Sequence, residues 1–248
     1  MAQKVRAPSR VRHEPEIFCW INRVGANAYH TNALESGRLP RPLPAIYTDE
    51  GMAAYRERLD ERAYETTSPL GGSFSSPDIA DYYFTPYDLG YGRIVRFDHD
   101  FVGREAPERI VAEGRDNART KVTLVWNGDD VAKATGSMFR PGPGAKFIKP
   151  PMALYATFQL DRVVAEGKDI GLSTWTGYPA NERALLSLAV IDSGYAAPGT
   201  EVAVIWGEEP NSSKLQVEEH VQVSLRATVQ PAPLAEFART AYRAPSGM

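Results

Sequence analysis

Tyr29, Asn32, Glu35 and Arg38 recur at intervals of three. On one helical face that spacing presents a phenol, an amide, a carboxylate and a guanidinium together. Such a set can orient a small polar substrate and hand it a hydrogen bond from an uncharged donor. The same spacing also suits a helix that shows a polar face to water and buries its tyrosine ring. Spacing alone leaves the two readings level.

Other chemistries find less support. His13, His30, His99 and His220 are scattered, and no His-x-His, His-x-x-x-His or Cys-x-x-Cys pair is present to start a metal site. There is no Gly-x-Ser-x-Gly elbow for a hydrolase and no Gly-x-Gly-x-x-Gly turn for a dinucleotide. Cys19 lies among Ile17, Phe18, Trp20 and Ile21, an apolar setting that suits a buried, inert thiol better than a nucleophile. The run LGGSFSS within Ser68 to Pro77 lacks the Gly-Lys-Ser/Thr ending of a phosphate loop, so it reads as a surface turn.

The elements that must carry these residues change character along the chain. Asn27 to Glu35 can form a short helix with Ala28, Ala33 and Leu34 apolar, and Gly37 supplies a stop. Three prolines between Arg38 and Pro44 then force an extended path. Gly51 to Tyr64 carries the clearest helical pattern, with Met52, Tyr55 and Leu59 on one face and Arg56, Glu57, Asp60 and Glu61 on the other. After Arg115 the pattern turns to strands: Lys121 to Trp126, Ala153 to Leu160, Ala184 to Ile191, Glu201 to Trp206 and His220 to Val229. Asn127-Gly128, Pro141 to Gly144, Glu166 to Asp169, Pro198-Gly199 and Pro210-Asn211 supply turns between them. Strands in this number, with no long helix between, predict an antiparallel barrel or sandwich. Leu234 to Tyr242 can form a short helix in the tail.

Composition sets outer bounds. The chain has 248 residues, 43% hydrophobic and 24% charged, enough for a folded core. A net charge of −3 gives no electrostatic case for nucleic acid. Ile17 to Ile21 is too short an apolar run for a signal peptide or a membrane span, and a single cysteine suits a reducing, cytoplasmic setting. The first sixteen residues are basic, carry two prolines and show no periodicity, so they read as a disordered arm.

Two segments add a family resemblance. VGANAYHTNALESGRLPRPLP (Val24 to Pro44) and DYYFTPYDLGYGRIVRFDHDFVGRE (Asp81 to Glu105) resemble the second half of a folate-dependent aminomethyltransferase-type protein. Within that superfamily the sequence is most similar to the tetrahydrofolate-dependent aryl O-demethylases, which act on vanillate-, syringate- and 3-O-methylgallate-like compounds. The resemblance extends over nearly all of residues 23 to 230, and EGKDIGLSTWTGYP stands where the family has turn and strand pieces of its barrel. It implies an α+β N-terminal remnant (17 to 114) of the folate- and substrate-binding region. An all-β antiparallel, jelly-roll-like barrel (115 to 230) and a tail (231 to 248) complete the expected organisation.

The resemblance also implies roles. Tyr29 stands where the O-demethylases carry a tyrosine beside the methoxy-aromatic substrate and the glycine-cleavage members an arginine. An aryl methyl ether is a poor methyl donor, because its leaving group is a phenoxide; a phenol donating to the ether oxygen eases departure without itself carrying charge. Tyr29 is thus the expected catalytic residue, with Asn32, Glu35 and Arg38 as substrate-binding residues. Arg38 departs from the tryptophan of vanillate-type relatives and suits a substrate carboxylate. Tyr87, Tyr91 and Tyr178 are the expected walls of the tetrahydrofolate site. Because the resemblance begins at the chain's own start, it implies a partner: a separate polypeptide supplying the first half, or a second copy. An aminomethyltransferase-like or non-catalytic role is the alternative.

Overall fold

Glycine and proline placement decides where the helices stop, and strand alternation decides the rest. The computed structural model describes residues 25–209 and 217–240. Helices α1 (Ala26–Ser36), α2 (Ala53–Arg56) and α3 (Tyr64–Thr67) come first, followed by strand β1 (Leu70–Gly71) and helix α4 (Glu105–Ala112). Then follow β2 (Arg119–Trp126), α5 (Gly128–Ser137), β3 (Phe158–Gln159), β4 (Asp161–Ala165) and β5 (Lys168–Gly177). Strands β6 (Leu186–Asp192), β7 (Glu201–Trp206) and β8 (Val223–Pro231) and helix α6 (Glu236–Arg239) complete the order.

Six strands close an antiparallel barrel in the order β2-β6-β5-β4-β7-β8. This is the expected class: helices first, then an all-β barrel. Glu166 and Gly167, both with positive φ, form a two-residue turn between β4 and β5, the geometry that matches strand twist. Inside, residues two apart stack as one core: Val122, Leu124 and Trp126 of β2, Val202, Val204 and Trp206 of β7, and Leu225, Ala227 and Val229 of β8. Strands β5 and β6 are buried on both faces, because Leu186, Leu188 and Val190 meet Ala33, Leu34, Leu39, Leu89 and Met152 outside the barrel. That second cluster docks α1. Cutting a fully buried residue such as Leu124 or Leu186 back to alanine costs about 2–5 kcal/mol.

Helix α1 ends as its glycine dictates. Gly37 has φ +64°, and the Gly37 and Arg38 N–H groups donate to the carbonyls of Leu34 and Ala33 at 3.1 and 3.0 Å. A Cβ on Gly37 would also lie 2.8 Å from the backbone nitrogen of Pro233.

Elsewhere the structure corrects the sequence reading. Gly51 to Tyr64 does not form one helix; α2 and α3 are single turns. The Arg56 guanidinium binds the carbonyls of Ile46 and Asp49, and Asp60 accepts from the Arg62 N–H, so local side-chain bonds replace the helical ladder. Ser68 to Pro77 is not a surface turn. Its β1 pairs in parallel with β3, and Gly72 packs so tightly that a Cβ would lie 2.1 Å from the Leu160 carbonyl oxygen. Ala153 to Leu160 is mostly irregular, with only β3 extended and paired. Asn127-Gly128 is no hairpin turn: the Asn127 Oδ1 accepts from the N–H groups of Asp129 and Asp130 at 3.1 Å and caps α5, a helix missed among the strands.

The basic arm and the Cys19 group lie outside the described residues, as does the tail beyond residue 240. Among the described residues no helix is long and apolar enough to cross a membrane.

Candidate active site

Tyr29, Asn32 and Glu35 all lie on α1, each about 60° further round its axis than the last, while Arg38 lies beyond the helix end. The turn at Gly37 brings Arg38 back, and its Nη2 donates to the Tyr29 hydroxyl oxygen at 3.1 Å, with the guanidinium 5.8 Å from the ring centroid. Tyr29 is 53% exposed, so its ring is not buried, and the polar face it belongs to is shown to water. Asn32 is exposed beside them. Glu35 faces the loop after β5, where its Oε1 accepts from Asn181 Nδ2 at 2.8 Å.

Behind these groups a row of rings fixes the helix. The Tyr29 and His30 rings are 5.8 Å apart, His30 meets Trp175 edge-on at 5.6 Å, and Arg41 lies 5.5 Å over the Trp175 ring. The Trp175 indole N–H donates to the His30 carbonyl at 3.1 Å. Reading the sequence passed over Trp175, although it lies inside a segment quoted for resemblance. His30 entered only as a scattered metal candidate.

The three tyrosines expected around the cofactor do not come together. Tyr178 follows Gly177 at the end of β5, half-exposed, in the loop that carries Asn181. Tyr87 lines a cavity of about 590 Å³ with Arg93, Asp116, Asn117, Arg119 and Ser193, and Tyr91 stacks under the Lys121 ammonium at 5.3 Å. The β2–β6 register runs from Arg119–Asp192 at that rim to Val125–Leu186 at the other, where Gly177 pairs with Leu186. Six residues of strand separate the two rims by about 20 Å. Tyr178 is therefore the cofactor candidate that shares a rim with α1.

A second polar group sits inside that rim. The Lys146 side chain is fully buried, with Nζ 2.8 Å from Glu208 Oε1 and 4.6 and 5.2 Å from the Tyr155 and Trp206 ring centroids. Burial works against the Glu208 charge, but Lys146 and the Gly72 N–H outweigh it and hold the carboxyl below its ordinary range. His220 Nε2 accepts from the Glu208 N–H at 2.9 Å, which leaves Nδ1 to donate to the Glu218 carbonyl. Asp161 accepts from the Ser73 N–H and from Gln159; burial, against the attraction of Lys146, pushes its pKa up to about 6. Lys146 cannot reach a substrate. The group pins the segment around β1 to the barrel, and its members are too far apart in sequence for any spacing rule to join them.

The fold is thus an antiparallel barrel with a small helical layer and, at one rim, an exposed phenol hydrogen-bonded to a guanidinium. The chain is 43% identical over 221 residues to syringate O-demethylase of Sphingobium sp. (strain NBRC 103272 / SYK-6), a match covering 88% of this chain and 47% of that protein. It is 36% identical over 205 residues to sesamin methylene transferase of Sinomonas sp. (strain No.22), covering 77% of this chain and 44% of that protein. The glycine cleavage system aminomethyltransferase T from Bartonella henselae aligns at a TM-score of 0.37 and 16% identity, over 61% of this chain and 32% of that one. No family model matches. By its sequence similarities the chain belongs to the aminomethyltransferase-like O-demethylase family, and it spans less than half the length of the curated relatives it matches.

Proposed function

We propose that this chain carries the methyl-releasing wall of a tetrahydrofolate-dependent aryl O-demethylase site, with a methoxy-aromatic acid as substrate. One observation carries the reading: the Tyr29 oxygen accepts from Arg38, so its own hydrogen is free to point at a substrate ether oxygen. The accepted bond also polarises the phenol and makes it a better donor as phenoxide charge develops. Arg38 retains further N–H groups for a substrate carboxylate. Asn181 and Glu35 offer an amide and a carboxylate beside the half-exposed Tyr178 ring, a donor set that fits a flat, hydrogen-bonding heterocycle such as the pterin. Tetrahydrofolate, when bound, supplies the nitrogen that takes up the methyl group. The chain's own residues hold the aromatic acid, orient it and stabilise the departing oxygen.

The exposure of Tyr29 favours a further point. Tyr29 is more than half exposed, so water competes for its hydroxyl. The remaining walls come from another polypeptide, one equivalent to the unmatched part of the relatives, or from a second copy. Alone, the chain binds tetrahydrofolate weakly.

The test is methyl transfer from a panel of methoxybenzoates to tetrahydrofolate, followed by mass spectrometry. It is run with the chain alone and with a co-expressed polypeptide carrying the part of syringate O-demethylase outside the match. Tyr29→Phe should lower kcat about 100-fold, about 3 kcal/mol, with little change in KM. Full turnover by Tyr29→Phe would make the tyrosine a packing residue. Methyl transfer with no aromatic substrate in the panel, while folate binds, would favour an aminomethyltransferase-like or non-catalytic role instead.

A further inference from the structure

We propose that Trp175 is the positioning residue for Tyr29, holding the exposed half of α1 in place through a backbone turn that tryptophan does not otherwise favour. The proposal rests on the reading of Tyr29 as the group that meets the substrate.

The argument begins with strand alternation. Ser173 faces the barrel interior, where its hydroxyl bonds to that of Ser187, itself the acceptor for the Trp126 indole. Period two would therefore point residue 175 inward as well. Instead the β5–β6 register shifts between Thr174 and Gly177, and Trp175 takes φ +52°, in the left-handed region that bulky residues avoid. The irregularity turns the indole outward into the cluster formed by Ala33, Leu34, Leu186 and Leu188. There it is 3% exposed.

Apolar anchoring of α1 does not need this device, because Leu34 already supplies it at 0% exposure. What Trp175 adds is direction. Its N–H donates to the carbonyl of His30, the residue next to Tyr29, and its ring meets the His30 ring nearly at right angles. The carbonyl has a second lone pair for the helical bond, so the two contacts coexist. The first turns of α1 have no side-chain cap at Gly25 and bury nothing before Ala33. Among the described contacts, the indole bond is what fixes the helix at Tyr29's level. A helix start without it frays, and the Tyr29–Arg38 geometry is lost with it.

The test places 3-fluorotyrosine at position 29 and reads its fluorine resonance in the full chain. Arg38→Ala marks the released state. Trp175→Phe keeps an aromatic ring and removes the N–H. The expected result is a Trp175→Phe resonance moved most of the way to the Arg38→Ala position, while circular dichroism shows the barrel still folded. A resonance unchanged from the parent chain would overturn the proposal. A second measurement needs no variant. The Trp175 indole N–H should exchange with solvent at least about tenfold more slowly than an exposed indole, and exchange at the free rate would equally overturn it.

In the complemented enzyme, Trp175→Phe should lower kcat about tenfold with KM within about twofold, and should cost nothing further in a Tyr29→Phe background. Full additivity of the two substitutions would mean that Trp175 acts independently of Tyr29. If Tyr29→Phe proves fully active, the reading of Tyr29 fails, while the fluorine and exchange results still decide whether Trp175 positions it.

Discussion

Two polar groups share one rim of the barrel and obey opposite physics. Tyr29 on α1 and Arg38 just past its end lie outside, in reach of water, and are joined by one 3.1 Å hydrogen bond. Lys146, Glu208, Asp161 and His220 lie inside the rim, with a lysine side chain wholly cut off from solvent. Screening makes the outer pair nearly worthless to stability, and its side chains stay in contact with water. Low dielectric makes the inner group costly to break, which is what makes it useful as a pin and useless as a binding site. Exposure separates the two groups more cleanly than residue type does, since both contain a cation facing a polar oxygen.

The largest effect is expected at Lys146. In Lys146→Met the Glu208 and Asp161 carboxyls lose their cation while staying buried. Stability measured by urea unfolding should fall by about 3–5 kcal/mol. A loss under about 1 kcal/mol would mean that water reaches the group, and the contrast between the two regions would go.

Asp161 makes the inner group sensitive to pH. Its folded pKa of about 6 lies above the ordinary 3.8, so the folded chain takes up a proton more readily than the unfolded one. The sign follows: this group's contribution is most favourable below pH 3.8, and is lost as pH rises through about 6. The difference amounts to about 3 kcal/mol. The unfolding free energy of Asp161→Asn relative to the parent should therefore climb between pH 4 and 6, then level off. Parallel profiles for the two proteins across that window would refute the assignment.

The outer region was far more legible in the sequence than the inner one. Tyr29, Asn32 and Glu35 are local on one helix, and Gly37 announces its own left-handed stop, so spacing rules reach them. The strands β2 and β7 were equally plain, because one face of each meets the core and alternation survives. Legibility failed where tertiary partners decide. Strand β4 hides behind a charged start, Asp161-Arg162, whose aspartate is buried only because Lys146 arrives from a distant loop. Helix α5 hides behind Asn-Gly, a dipeptide that serves a cap as well as a hairpin. The family resemblance grouped Tyr87 and Tyr91 with Tyr178, and the length of β2 separates them. Trp175 points outward because of a register shift that alternation cannot foresee.

An intermediate case lies at the opposite rim. Arg119 makes two hydrogen bonds to Asp88, at 2.7 and 3.3 Å; the aspartate is buried and the arginine about a third exposed. Asp88 also accepts from the Thr85 N–H, so it is not left bare when the guanidinium is removed. Arg119→Met should cost about 2 kcal/mol, between the inner group and the outer pair. A cost equal to that of Lys146→Met would show that exposure is not the controlling variable.

The smallest effect belongs to the outer pair, and it carries the most information. Each partner of the Tyr29–Arg38 bond stands in water in the folded chain and in the unfolded one, so the bond exchanges one set of hydrogen bonds for another. A double-mutant cycle of Tyr29→Phe and Arg38→Ala, read by thermal unfolding, should give a coupling of about 0.5 kcal/mol or less. The same cycle read by methyl transfer in the complemented enzyme should give a much larger coupling. On the proposed function, a substrate and a second polypeptide exclude water, and the guanidinium then works on a phenol whose charge demand rises only in the transition state. Equal couplings in stability and rate would mean that the pair behaves alike in the open chain and in the closed site, and Tyr29 would then be a surface residue with no part in releasing the methyl group.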